Sequence, residues 1–420
     1  MDELAIPAVV LLHVEEAALL RHVRSTLVRG AHITLPLLAR ADERLAAHLD
    51  GVMVAADLGW RLTEAALATP NRGALFTAAV LAIGRRDDAA LDKLFTLAEA
   101  SPEAGSELVS AFGWSSAQDL RGTTKRLLDA TDASMRSAGL AACAMHRVDP
   151  GPVLGAALAQ PDAGLRRRAL QVAGHLGRVD LLPACLGLLD AVDERQTFHA
   201  ARAALLLGDR GESLRALQRV ALAAGELQAP ASNLLLRAVP VQHGNALLKS
   251  LAKAEPASRL LLQAVGVNGD PAYVPWLIRQ MDEPRLARLA GEAMTAITGV
   301  DIVERGLAAN PPAAIDSIPN DDPDDERVAM DEDESLPWPD AEKAAAWWAA
   351  QAAGFEPGTR CFMGAPPSAA RCTEVLAHGG QRQRAAAAMW LAVMRPGAKV
   401  FETAAPAWRQ RRWLAMGDQA

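Results

Sequence analysis

Apolar side chains recur along this chain every three to four positions, in runs that glycine, aspartate or proline interrupt. The stretch Gly269–Gly299 shows the pattern. Val274, Leu277, Ile278 and Met281 form one stripe, and Leu286, Leu289, Ala290, Ala293 and Ile297 form a second. Pro271 and Pro275 suit the start of the first helix and are hard to place in a strand. Asp282 is expected to cap the second helix, with Pro284 in its first turn, and Gly299 to stop it. Each helix has one apolar face, so the pair must bury its stripes against neighbours.

Those neighbours are copies of the same plan. "GRVDLLPACLGLLDAVDE", from Gly177, aligns with "GDPAYVPWLIRQMDEP", from Gly269, placing Pro183 over Pro275 at an offset of 92 residues. That offset is three units of about 31 residues, a length typical of helical solenoids. Gly208 follows Gly177 by 31 residues. The reading is an all-α chain, an α-solenoid of helical hairpins over residues 61–310. Two amphipathic segments, "LLHVEEAALLRHVRSTL" and "LPLLARADERLAAHLDGVMVA", form an N-terminal helical cap over residues 1–60. Residues 311–336 read as an acidic linker and 337–420 as a Trp-rich C-terminal helical module or cap.

Composition agrees with close-packed helices. Half the residues are hydrophobic but only 4% are aromatic, and Tyr273 is the single tyrosine. The N-terminus has no basic leader, no run is apolar enough to span a bilayer, and the four cysteines lack paired spacing; a cytoplasmic protein is expected. The net charge of −7 is uneven. Residues 320–334, "NDDPDDERVAMDEDE", hold nine acids and one arginine, a balance of −8, which leaves +1 for the rest of the chain.

Chemistry is harder to find. His13, Glu16 and His22 lack the HExxH order, and His48 with Asp50 lies at a helix end. His146, His175 and His199 fall one per unit near the turns, where a ring can bond carbonyls. Cys361, Cys372 and His378 fit no standard zinc spacing and are expected to be structural. No G-x-S-x-G, P-loop or dinucleotide fingerprint occurs. Neither metal, cofactor nor catalytic residue is expected. The basic clusters "GLRRRAL" (Arg166–Arg168), "GQRQRA" (Arg382, Arg384) and "WRQRRW" (Arg409, Arg411, Arg412) read as helix faces or ion-pair donors, with "WRQRRW" able to dock on the acidic run. With an acidic isoelectric point, direct nucleic-acid binding is not expected.

The stretch Gly269–Gly299, with its Asp-Pro start, "VPWLI" helix and "AITG" ending, resembles a HEAT repeat. The chain as a whole resembles a family of bacterial HEAT-like proteins of unassigned biochemistry. The likeness rests on "HVEEAALLRHVRS", "ADERLAAHLDG", "LPWPDAEKAAAWW", "GTRCFMG" and "GQRQRAAAAMWLA". That family looks like a set of accessory genes in type VI secretion clusters, and it offers no catalytic motif.

The resemblance implies a role beside a type VI secretion system, where an immunity protein that neutralises an effector is the expected reading, and the acidic run makes a basic toxin such as a nuclease the expected partner. The alternatives are an adaptor or scaffold for effector loading and, from another class, a DNA-acting helical-repeat enzyme. The residues expected to meet the partner are Asp321, Asp322, Asp324, Asp325, Glu326, Asp331, Glu332, Asp333 and Glu334, whose field would steer a basic protein. Trp347 and Trp348 join them. Adjacent residues diverge by about 100° on a helix, so one of these rings is expected at a boundary.

Overall fold

The computed structural model describes residues 5–68, 71–99, 102–255, 258–312 and 331–417. Among these residues the regular elements are helical, with only two isolated bridges, Ala308 with Pro339 and Phe362 with Ala365. The chain opens with α1 (Pro7–Leu27), α2 (Leu35–Val54) and α3 (Ala56–Ala66). Helices then follow in pairs: α4 (Arg72–Arg85) and α5 (Asp88–Glu99), α6 (Pro102–Trp114) and α7 (Thr123–Asp129), α8 (Ala133–His146) and α9 (Pro152–Leu158). The series continues with α10 (Ala163–Leu176) and α11 (Leu182–Leu186), α12 (Glu194–Leu207) and α13 (Glu212–Leu222), α14 (Gln228–Ala238) and α15 (Val241–Ala254). It ends with α16 (Arg259–Asn268), α17 (Val274–Gln280) and α18 (Ala287–Thr298). Beyond residue 330 come α19 (Ala341–Gln351), α20 (Ala369–His378), α21 (Gln381–Met394) and α22 (Ala407–Met416).

The even-numbered helices pack in sequence from α4 to α12 and again from α14 to α18, α13 joins α12 to α14, and the other odd-numbered helices lie against the even ones. Local chemistry sets each boundary. Asp132, Asp162 and Ser258 accept the N–H three residues on and cap α8, α10 and α16. Gly177, Gly208, Gly269 and Gly299 stop α10, α12, α16 and α18 in the left-handed conformation. Small residues bring neighbours close: a Cβ on Gly174 would lie 3.1 Å from the Cα of Ala203, and one on Gly266 3.1 Å from that of Ala293. The alanine-rich composition is therefore a packing requirement. One core runs from α8 to α18 and a second fills α1–α8. Each fully buried leucine, such as Leu170, Leu205 or Leu262, contributes about 1.5–3 kcal/mol of burial.

One expected boundary is displaced. The second helix of the Gly269–Gly299 unit begins at Ala287, not at Asp282. The Glu283 carbonyl accepts from the N–H groups of Leu286 and Ala287 at 2.9 and 2.8 Å, so a turn takes up the residues around Pro284. Asp270 caps the 3-10 turn Pro271–Tyr273 that leads into α17, accepting from Ala272 N at 3.0 Å.

The C-terminal segment runs back along the row. α19 packs on α17, α21 touches α14 and α12, and α22 lies beside α2. Between these helices its backbone bonds the row at successive helix ends. Met363 N donates to Ala296 O (2.7 Å), Cys361 N to Gly269 O (2.8 Å), Gly397 N to Leu206 O (2.9 Å) and Val400 N to His175 O (2.9 Å). These acceptors lie in or just after the last turns of α18, α16, α12 and α10. The last carbonyls of a helix have no partner within it, and they carry the negative end of the macrodipole. A second strand of chain laid along these ends supplies the missing donors. At Gly177 the approach is so close that a Cβ would sit 1.9 Å from Gly397 O.

Candidate functional site

Arginines complete what the backbone begins along this seam. Arg409 of α22 donates to Gly113 O at 2.7 Å and to Ser115 O at 3.4 Å, just past the end of α6. Arg210 donates to Leu205 O and to Val393 O, both at 2.7 Å, and Arg147 to Val400 O at 3.0 Å. Arg384, fully buried on α21, bonds Leu376 O at 2.8 Å and Gln381 Oε1 at 2.6 Å, and reaches Gln410 of α22. Burial pushes the guanidinium of Arg384 down to about 10; Arg409 falls to about 10 through burial and the nearby charges of Arg412 and Arg24. The clusters "GQRQRA" and "WRQRRW" thus contribute to holding the chain together.

The described end of the acidic run, residues 331–334, lies in the same seam and pairs with Arg259, Arg288 and Arg382 rather than with "WRQRRW". Arg409 is spent on carbonyls and Arg411 lies 3.9 Å from Glu43. Asp321, Asp322, Asp324, Asp325 and Glu326 fall outside the described residues. Asp331 pairs with Arg288 of α18, and Asp333 with Arg259 of α16. Arg382 of α21 reaches Asp333 at 3.2 Å and Glu292 at 3.0 Å. Glu332 lies 3.3 Å from Arg259, while Glu334 is exposed. The Asp333 side chain is only 4% exposed. At Asp331 burial opposes ionisation, yet the Asp333 N–H and Arg288 outweigh it and hold the carboxyl below its usual range. Burial raises Glu292, which Arg382 only partly offsets.

Trp347 and Trp348 are both half-buried on α19, their ring centroids 6.5 Å apart, and Trp348 also meets Phe355 at 5.4 Å. Both rings lie between core and solvent, with Phe355 packed on Trp348. Of the other C-terminal tryptophans, Trp390 and Trp413 are buried and Trp408 is 43% exposed against Trp114.

Histidines and cysteines sit in structural settings. His146 bonds Phe112 O at 2.8 Å, and His175 lies 2.9 Å from Arg202. Burial, followed by Arg202 and Arg168, takes His175 down to about 3. All four cysteines are free and buried, and burial raises Cys185 to about 12. Among the described residues no group of three or more His, Cys, Asp or Glu could hold a metal, and no helix is long and apolar enough to cross a membrane.

One surface escaped the pattern reading. Helix α1 buries Val10, Val14, Ala17 and Leu20 against the row, yet Val9, Leu12, Leu19 and Val23 form a second apolar stripe on its solvent side. Leu12 and Leu19 are 53% and 55% exposed, and Ile6 extends the patch. The signal was present: a helix apolar on two faces carries more than its core needs. Glu16 lies between Leu12 and Leu19 on this face, and exposed apolar side chains gathered on one helix face suit a contact site.

Comparison with protein-family models, curated proteins and solved structures gave no match.

Proposed function

We propose that this chain is a non-catalytic α-solenoid that holds another protein, and that its task is immunity: neutralising a toxic effector of a type VI secretion system in the cytoplasm. The observation that carries the binding half is the apolar stripe of α1, Val9, Leu12, Leu19 and Val23, exposed at the start of the helical row. The ends of α10, α12, α16 and α18 give a partner less room, since the C-terminal segment already bonds their carbonyls. The choice of partner rests on the resemblance to HEAT-like proteins of secretion clusters. The acidic run adds a field that speeds encounter with a basic toxin such as a nuclease, an effect that weakens as salt rises. A rigid, pre-organised scaffold suits tight inhibition because little ordering remains to be done on binding.

Co-expression with the effector encoded beside it tests the reading. Survival only when this chain is present is the expected result. Unaffected survival together with lost secretion of the effector would replace immunity by an adaptor role.

A further inference from the structure

Between α14, α16, α18 and α21 lies a cavity of about 220 Å³.

 A larger cleft of about 350 Å³ lies beside Arg21 and Arg24, whose guanidiniums are already matched by Glu107 and Asp42, each at 2.6 Å. The smaller cavity, 220 Å³, is the one whose cation is unmatched.

Its polar groups come from equivalent positions of successive units. Asn233, Gln263 and Glu292 follow one another at intervals of 30 and 29 residues, on α14, α16 and α18. Glu292 is taken by Arg382 at 3.0 Å. The side-chain amides of Asn233 and Gln263 make no hydrogen bond among the described residues. Arg237, one turn beyond Asn233, also lines the cavity. Its Nη1 donates to Asn233 O at 2.8 Å, its Nε has no partner, and it forms no ion pair among the described residues. Trp390, Phe362 and Met363 supply an apolar wall, and the guanidinium of Arg237 stands 5.7 Å from the Trp390 ring.

We infer that this cavity binds the carboxylate of a small ligand with an apolar body. One unmatched guanidinium suits a singly charged anion, and its planar fork bonds a carboxylate through two parallel N–H groups. The amides of Asn233 and Gln263 can donate to the same oxygens, while the body packs on Trp390 and Phe362. A phosphate dianion would need a second free cation, and Arg382 is committed to Glu292 and Asp333. The volume lies below the roughly 300–1,000 Å³ of drug-sized pockets, so the ligand is an aryl or alkyl acid, or the final residue of a peptide.

Calorimetric titration of the full chain tests this with two matched pairs, benzoate against benzamide and N-acetylphenylalanine against its amide. The expected result is that at least one acid binds about ten-fold or more tighter than its neutral amide, the scale of a charged hydrogen bond. Arg237→Gln should erase that preference, and Gln263→Leu should weaken acid binding several-fold without a change in melting temperature. Preference for benzoate alone assigns the site to free acids; preference for N-acetylphenylalanine alone assigns it to chain ends. Equal binding of acid and amide, no binding of either acid, or an undiminished preference in Gln263→Leu overturns the inference. No partner protein enters this titration, so its failure leaves the immunity reading standing and the reverse also holds.

Discussion

Arg409 and Gly113 are separated by 296 residues of chain, yet the guanidinium of one donates to the carbonyl of the other at 2.7 Å. That bond joins the last helix to the end of α6. Ala407 N makes a similar closure, donating at 2.7 Å to the buried carboxylate of Asp42 on α2. The helical row is therefore tied along its length by its own C-terminal segment.

Arg409→Gln should leave the carbonyls of Gly113 and Ser115 without their charged donor. A loss of about 2–3 kcal/mol in unfolding free energy is expected, the cost of unmaking a buried hydrogen bond to a charged group. Denaturant titration against the wild type reads it. A change within about 0.5 kcal/mol, the usual effect of a surface substitution, would remove Arg409 from this role.

Much of the row was legible because its signals are local. Gly177, Gly208, Gly269 and Gly299 each stop a helix where the pattern places a turn. The Asp282 boundary failed because a cap signal competes with any nearby turn, and here the Glu283 carbonyl won. The route of the C-terminal segment had no local signal at all. Nothing in "WRQRRW" distinguishes an arginine that bonds Gly113 O from one that faces an acid, since the choice depends on which helix end lies nearby in space. The partner of Asp333 was hidden for the same reason: Arg259 and Arg382 lie 74 and 49 residues away in opposite directions.

Asp333→Asn should loosen the docked end of the acidic run. The substitution leaves Arg382 and Arg259 sharing one carboxylate fewer, in a setting where the lost partner was almost fully enclosed. Discounted for the partial exposure of Arg259, the expected cost is about 2–3 kcal/mol. Hydrogen exchange should accelerate at the amides of Glu334 and Leu336, which bond back to Asp331 and Asp333 carbonyls. Unchanged exchange there would show that Leu336 packing alone holds the turn.

Stability should fall on mild acidification. His175 is held down at about 3 in the fold, against about 6.5 when unfolded, by burial and then by Arg202 and Arg168. A depressed histidine favours the fold fully above the unfolded value, and that contribution is lost as pH drops from about 6.5 towards 3. Between pH 7 and 5 the expected loss is roughly 1–2 kcal/mol from this residue. Parallel melts of wild type and His175→Gln should show a shallower pH dependence in the variant. Equal slopes would assign the acid sensitivity to other groups.

The account turns on the exposed face of α1. The secreted effector proposed as its partner, purified and titrated into the wild-type chain and into Leu12→Glu/Leu19→Glu, measures it directly. Tight binding to the wild type and a loss of about a hundred-fold or more in the variant, with unchanged melting temperature, is the predicted outcome. Equal affinity for both proteins, or none for the wild type, would contradict it.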